Sequence, residues 1–242
     1  KIKRVMNCRE FFGVANLSLI QSSYAVMFRK QKQKKEIANL SVLAWLRKAE
    51  LEGMTLEIGK FCKRKLKAMI PIFRELTLKA PSEFFPEMQK LCAECGVALV
   101  LVNDLPKTYI CGATIWRKDK AILALSVRGK RADIFWFTFF HELAHLIHHS
   151  KKEFHINYEY DIEEDEANAI ASNCLIPDKL YQKFIKQYTY QDQKQIVDYA
   201  HKIGIAPCIL VGRLLHDNLI EYKNYSNLRP SFEIIRSVAV NG

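Results

Sequence analysis

The stretch from Ala132 to about His149 constrains this chain more than any other. Phe135, Trp136, Phe137, Phe139, Phe140, Leu143, Leu146 and Ile147 make it apolar nearly all round, the pattern of a helix buried in a core. Into that helix are set three ionisable side chains, His141, Glu142 and His145. Buried charges need partners, and a metal ion supplies one.

His141 and His145 are four residues apart, so on a helix their side chains share one face. Two imidazoles so placed can bind one tetrahedral ion at about 2.0–2.1 Å each. Glu142 adjoins the first histidine, within reach of a water on that ion. The ion lowers the water's pKa and the carboxylate takes its proton. The arrangement predicts metal-assisted hydrolysis, with zinc as the metal.

Such a site needs a third protein ligand. The carboxylates of Ile162-Glu-Glu-Asp-Glu-Ala-Asn168 begin far enough beyond His145 for the chain to turn back. Glu163, Glu164, Asp165 and Glu166 are all candidates. Ala167, Ile170, Ala171 and Cys174 mark the inward face of their helix. Glu164 lies three residues before Ala167 on that face and is the leading candidate; Glu163 is next, and Glu166 points elsewhere. With Glu164 as ligand, Asn168 sits one turn on, where it can hydrogen-bond a ligating histidine. His149 extends the row, about 6 Å along the axis from His145, and is expected to support a ligand or sit at the exposed helix end. His148, His155, His201 and His216 read as ordinary histidines. No oxyanion donor stands out; His149 and Tyr160 are the nominal candidates.

At 49% apolar residues the chain can build a packed core, and no apolar stretch approaches the length of a membrane span. No signal peptide is visible. The chain begins with Lys1, so further residues are expected to precede it. An odd count of seven cysteines predicts a reducing compartment, the cytoplasm. Cys92-Ala-Glu-Cys95 has the spacing of half a zinc knuckle, but with no second pair its thiols are expected to be buried near a helix end. The formal charge of +11 is concentrated at the front: residues 1–80 hold 18 Lys/Arg against 6 Asp/Glu. The densest run, Arg29-Lys30-Gln31-Lys32-Gln33-Lys34-Lys35, suits a solvated face; nucleic acid or an acidic partner is the alternative.

The first 80 residues read as helical. Leu40, Leu43, Ala44, Leu46 and Leu51 recur at helical spacing, with Gly53 as the expected stop. Ile58 to Leu78 is amphipathic, and Pro71 should divide it. Pro81 opens a helix that Gly96 ends. Strands are expected at Val97–Val102, Tyr109–Trp116 and Ala121–Val127, forming a small, mainly antiparallel sheet. A polar connection after His149 leads to helices over about 163–175, from Asp178, and over 191–202 and 207–215.

These residues resemble the ImmA/IrrE family of bacterial metallopeptidases, and within it the subgroup fused to HigA-like helix-turn-helix antitoxins. Phe135-Trp-Phe-Thr-Phe-Phe-His-Glu-Leu-Ala-His145 is the most specific stretch. Cys92-Ala-Glu-Cys-Gly-Val97, Gly112-Ala-Thr-Ile-Trp116, Glu164-Asp-Glu-Ala-Asn168, Leu175-Ile-Pro177 and Gly204-Ile-Ala-Pro207 accompany it. Ala144 and Cys208 depart from the usual glycines. The resemblance implies zinc held by His141, His145 and Glu164, with Glu142 as general base. It also implies cleavage of a helix-turn-helix repressor, and a DNA-binding part before Lys1. The expected architecture is α+β: a helical linker over 1–80, then a zincin-like domain over 81–242. The rival expectation is the regulatory half of a DNA-binding antitoxin, partnered by a cognate toxin, with a structural or sensory zinc. Strand Ala121–Val127 is the expected edge for aligning a substrate.

Overall fold

The computed structural model describes residues 2–20, 40–106, 108–126, 131–148, 155–158 and 165–232. The basic run 29–35, His149, Tyr160, Glu163 and Glu164 lie outside them. The fold is α+β. Four strands, β1 (Val97–Leu101), β2 (Ile110–Arg117), β3 (Lys120–Leu125) and β4 (His155–Tyr158), form one sheet in the order β1-β3-β2-β4. β1 and β3 are parallel, while β2 runs antiparallel to both β3 and β4. β2 and β3 form a hairpin around Lys118, whose φ of 55° is the left-handed conformation that two-residue hairpin loops require.

The topology corrects two expectations. The segment Ala121–Val127 is not an edge, because β3 lies between β1 and β2 and both its ladders are taken. The polar connection after His149 contains β4, which pairs outside β2 and is the outermost strand on that side among the described residues.

Both faces of β1, β2 and β3 are covered, which is why β1 and β3 are apolar runs rather than alternating ones. Ala98, Val100, Ala113, Ile115, Ile122 and Ala124 face helix α2 (Leu40–Thr55), packing with Leu43, Trp45, Leu46 and Ala49. α1 (Ile2–Phe12) lies beyond α2, with Arg47 Nε donating to the Phe11 carbonyl at 2.7 Å. Gly53 does not stop α2. It is buried inside the helix, and a Cβ there would come within 2.6 Å of Ile122 Cγ2. Its small size, not its flexibility, is what the fold uses.

The opposite face holds the larger core. α3 (Lys63–Ala68) and α4 (Ile70–Leu76) divide at Met69, with Pro71 in the first turn of α4, where a missing N–H costs nothing. α5 (Pro81–Glu94) ends at Gly96, φ 79°. α6 (Ala132–His148) packs on this face, and fourteen of its seventeen residues are buried. α7 (Asp165–Leu175), α8 (Asp178–Gln187), α9 (Gln193–Lys202) and α10 (Pro207–His216) complete the layer. Arg74 of α4 donates to the Leu175 and Ile203 carbonyls, both at 3.0 Å, satisfying acceptors at the ends of α7 and α9. Residues 40–78 therefore share both cores with the sheet and the later helices. No helix among the described residues is long and apolar enough to cross a membrane.

Candidate metal centre

The apolar surround of α6 sets the register of the helix, and that register brings the three ionisable groups to the interior. His141, Glu142 and His145 are 1%, 0% and 2% exposed. The two imidazoles meet edge to face, ring centroids 4.7 Å apart, with Nε2 facing Nε2 at 2.9 Å. His141 Nδ1 lies 2.9 Å from Asn168 Oδ1. With that oxygen accepting, a neutral His141 carries its proton on Nδ1 and directs the Nε2 lone pair toward His145. Two imidazole nitrogens this close to each other are donors of the kind a borderline-soft cation takes up. The residues present fit such an ion.

Packing of α7 against α6 delivers Asn168. Ala167 and Ala171, 2% and 0% exposed, let the two helices approach closely. Asp165 and Glu166, in the first turn of α7, are exposed. Among the described residues no group of three His, Cys, Asp or Glu side chains gathers to hold a metal. His148 is exposed at the end of α6, and His201 and His216 are exposed elsewhere.

Sequence reasoning missed the groups that hold Glu142. Thr114, on β2 and 1% exposed, donates its hydroxyl to Glu142 Oε2 at 2.8 Å. Beside it, Gly112 makes room: a Cβ there would sit 2.9 Å from Glu142 Oε1 and 2.7 Å from Thr138 Cγ2. Gly112 and Thr114 alternate with Ala113 and so face α6 while Ala113 faces α2. The available signal was a glycine and a threonine two apart in an otherwise apolar strand.

A second missed feature pins the start of α6. Asp133 in the first turn meets Arg229, whose Nη2 and Nε lie 2.7 and 2.9 Å from Oδ2. The residues are 8% and 3% exposed. Burial works against the Arg229 charge, but the hydrogen bond and charge of Asp133 outweigh it and hold the guanidinium above its usual pKa. Arg229 also stacks on Tyr222, 4.7 Å from the ring centre. The Pro230 carbonyl accepts from the Ala132 N–H at 2.9 Å. Burial, with Asp133 adding to it, pushes the nearby Cys208 thiol up to about 12.

Residues 95–209, just under half of the chain, match the family described as Peptidase M78, the IrrE N-terminal-like domain. The matched span runs from the sheet through the helices bearing His141, Glu142, His145 and Asn168. It supports the resemblance to the ImmA/IrrE family and suggests a metallopeptidase-like family. A search of curated proteins returned no match.

Proposed function

We propose that the IrrE N-terminal-like domain at residues 95–209 works as a zinc-dependent endopeptidase acting on a protein substrate. The observation that carries this reading is the convergence of His141 and His145 Nε2 at 2.9 Å, beside a carboxylate held by Thr114. In the proposed site His141, His145 and Glu164 hold the ion. Zinc bound there would acidify the attacking water and polarise the scissile carbonyl. Glu142 takes the water's proton on its carboxylate and passes it to the leaving amine. Asn168 keeps His141 in the ligating tautomer, and Thr114 keeps Glu142 in place. β4, outermost beside β2, is the edge to which an extended substrate would add.

The substrate in this reading is a helix-turn-helix transcriptional repressor in the cytoplasm. A DNA-binding part preceding Lys1 would bring the domain to it. The alternative is a regulatory half of a DNA-binding antitoxin, with the ion structural or sensory. It draws on the basic first 80 residues, where Lys60, Lys63, Arg64, Lys65 and Lys67 are all exposed around α3. In that case a cognate toxin is the partner.

The test is elemental analysis of the purified protein and of Glu164→Ala, joined to a cleavage assay on co-expressed repressor with Glu142→Gln as control. About one zinc per chain, lost in Glu164→Ala, and cleavage lost in Glu142→Gln with zinc retained, support the endopeptidase. A folded protein that takes up no zinc on reloading removes it.

A further inference from the structure

The half-knuckle Cys92-Ala-Glu-Cys95 is left over from the proposed site. The fold adds a third thiol to it. The connection between α2 and α3 runs tightly along the end of α5: Gly59 N–H donates to the Ala93 carbonyl at 3.0 Å, and Cys62 N–H to the Cys95 carbonyl at 2.9 Å. The approach is so close that a Cβ on Gly96 would lie 2.3 Å from the Phe61 nitrogen.

The second of these hydrogen bonds fixes how far apart two cysteines can be. Standard bond lengths place a Cα about 1.5 Å from its own nitrogen and about 2.4 Å from its own carbonyl oxygen. Adding the 2.9 Å hydrogen bond, the Cα atoms of Cys62 and Cys95 are at most about 6.8 Å apart, inside the span a disulfide bridges. Cys62 is partly exposed and Cys95 buried, and both are free thiols here. Burial raises the Cys95 pKa, Lys65 offsets part of that, and the Cys62 thiol adds to it. Cys92, one turn back in α5, is fully buried and its thiol is pushed far up by burial, which leaves it inert.

We propose that Cys62 and Cys95 are a reversible redox pair: a peroxide-class oxidant joins them in a disulfide that staples the α2–α3 connection to the start of the sheet. The partly exposed Cys62 is oxidised first. Its thiolate attacks hydrogen peroxide, the O–O bond breaks, Cys62 becomes a sulfenic acid, and the hydroxide that leaves takes up the proton the thiol had given up, as water. The Cys95 sulfur then attacks the sulfenic sulfur, the S–O bond breaks, and a second water leaves as the disulfide forms. In a reducing compartment such a bond is transient and sensing, not structural.

The experiment treats the folded full chain with hydrogen peroxide, alkylates the remaining thiols, digests with trypsin without reductant, and reads the peptides by mass spectrometry. The expected product joins the Phe61–Lys63 peptide to the Leu91–Lys107 peptide through Cys95, two thiols per chain disappear, and dithiothreitol restores them. Cys62→Ser abolishes the link and Cys92→Ser leaves it. A link between Cys92 and Cys95 would overturn the proposal. So would a chain-to-chain link, Cys62 recovered as sulfinic acid beside a free Cys95, or both thiols still fully alkylated. Circular dichroism of Cys62→Ser guards against a lost link that reflects only lost fold.

Discussion

Thr114 and Glu142 are joined across the boundary between sheet and helix, hydroxyl to Oε2 at 2.8 Å, with both residues at or below 1% exposure. The hydrogen bond makes β2 part of the proposed catalytic apparatus, because it ties the buried carboxylate to the sheet.

Thr114→Val, close in shape but without the hydroxyl, is expected to lower kcat about 10–100-fold. A hydrogen bond to a charged group contributes roughly 1.5–3 kcal/mol, and each 1.4 kcal/mol is about tenfold in rate. KM and zinc content should stay near the parent values, and Thr114→Ser should restore most of the rate. A Thr114→Val protein at full kcat removes the positioning role.

Asn168→Ala is expected to weaken zinc binding roughly 10–100-fold, the usual effect of losing a hydrogen-bond partner of a ligating histidine. Competition with a chelator of known affinity measures it. Unchanged affinity would mean that the 2.9 Å contact to His141 does not set the tautomer.

Arg229→Met should cost about 3–5 kcal/mol in urea unfolding, since it strands a buried carboxylate. Combining it with Asp133→Leu should recover most of that loss, because the pair is then replaced by apolar bulk. A double variant as unstable as the single one would show that the segment matters for packing and not for its charge.

Gly53→Ala is expected to destabilise by about 1–3 kcal/mol, the cost of overpacking a filled core. The added methyl meets Ile122 at 2.6 Å. Ile122→Ala, which removes all three atoms that the methyl meets, should offset part of this in combination, and simple additivity of the two losses would show that they do not meet.

Glu50 of α2 receives Arg117 from β2 and Arg47 from its own helix, with Arg117 Nη2 and Arg47 Nη1 each 3.1 Å from Oε2. Burial alone would raise its pKa, yet the two arginines hold it below 4.5. A depressed folded-state pKa stabilises the fold above the unfolded value, and that contribution fades as pH falls through the folded value. Stability of the parent should therefore decline more steeply than that of Glu50→Gln as pH drops below about 4.5. Parallel urea titrations at stepwise lower pH check this.

The helix α6 and its burial were legible because apolar residues surround it nearly all round, so that His141, Glu142 and His145 are carried into the interior with it. The helix breaks at Pro71 and Gly96 were legible because each is fixed by local backbone chemistry. What escaped depends on partners distant in sequence. β4 is a short His-Ile-Asn-Tyr segment in polar surroundings, and only pairing with β2, His155 opposite Thr114, makes it a strand. The interior position of β3 follows from β1 lying parallel to it, with β2 inserted in sequence but not in space. Thr114 reads locally as an ordinary strand former. Gly53 reads as a helix stop, and only the sheet against it shows otherwise.

The clasp at the start of α6 closes from far downstream: Asp133 waits for Arg229, and Ala132 for Pro230. Domains are made from the N-terminus onward. A ribosome thus releases His141, Glu142 and His145 well before it releases the residues that fasten their helix. Until Arg229 is free of the exit tunnel, Asp133 lacks the cation that it meets in the folded chain. A nascent chain therefore carries the whole motif long before it can hold the motif still.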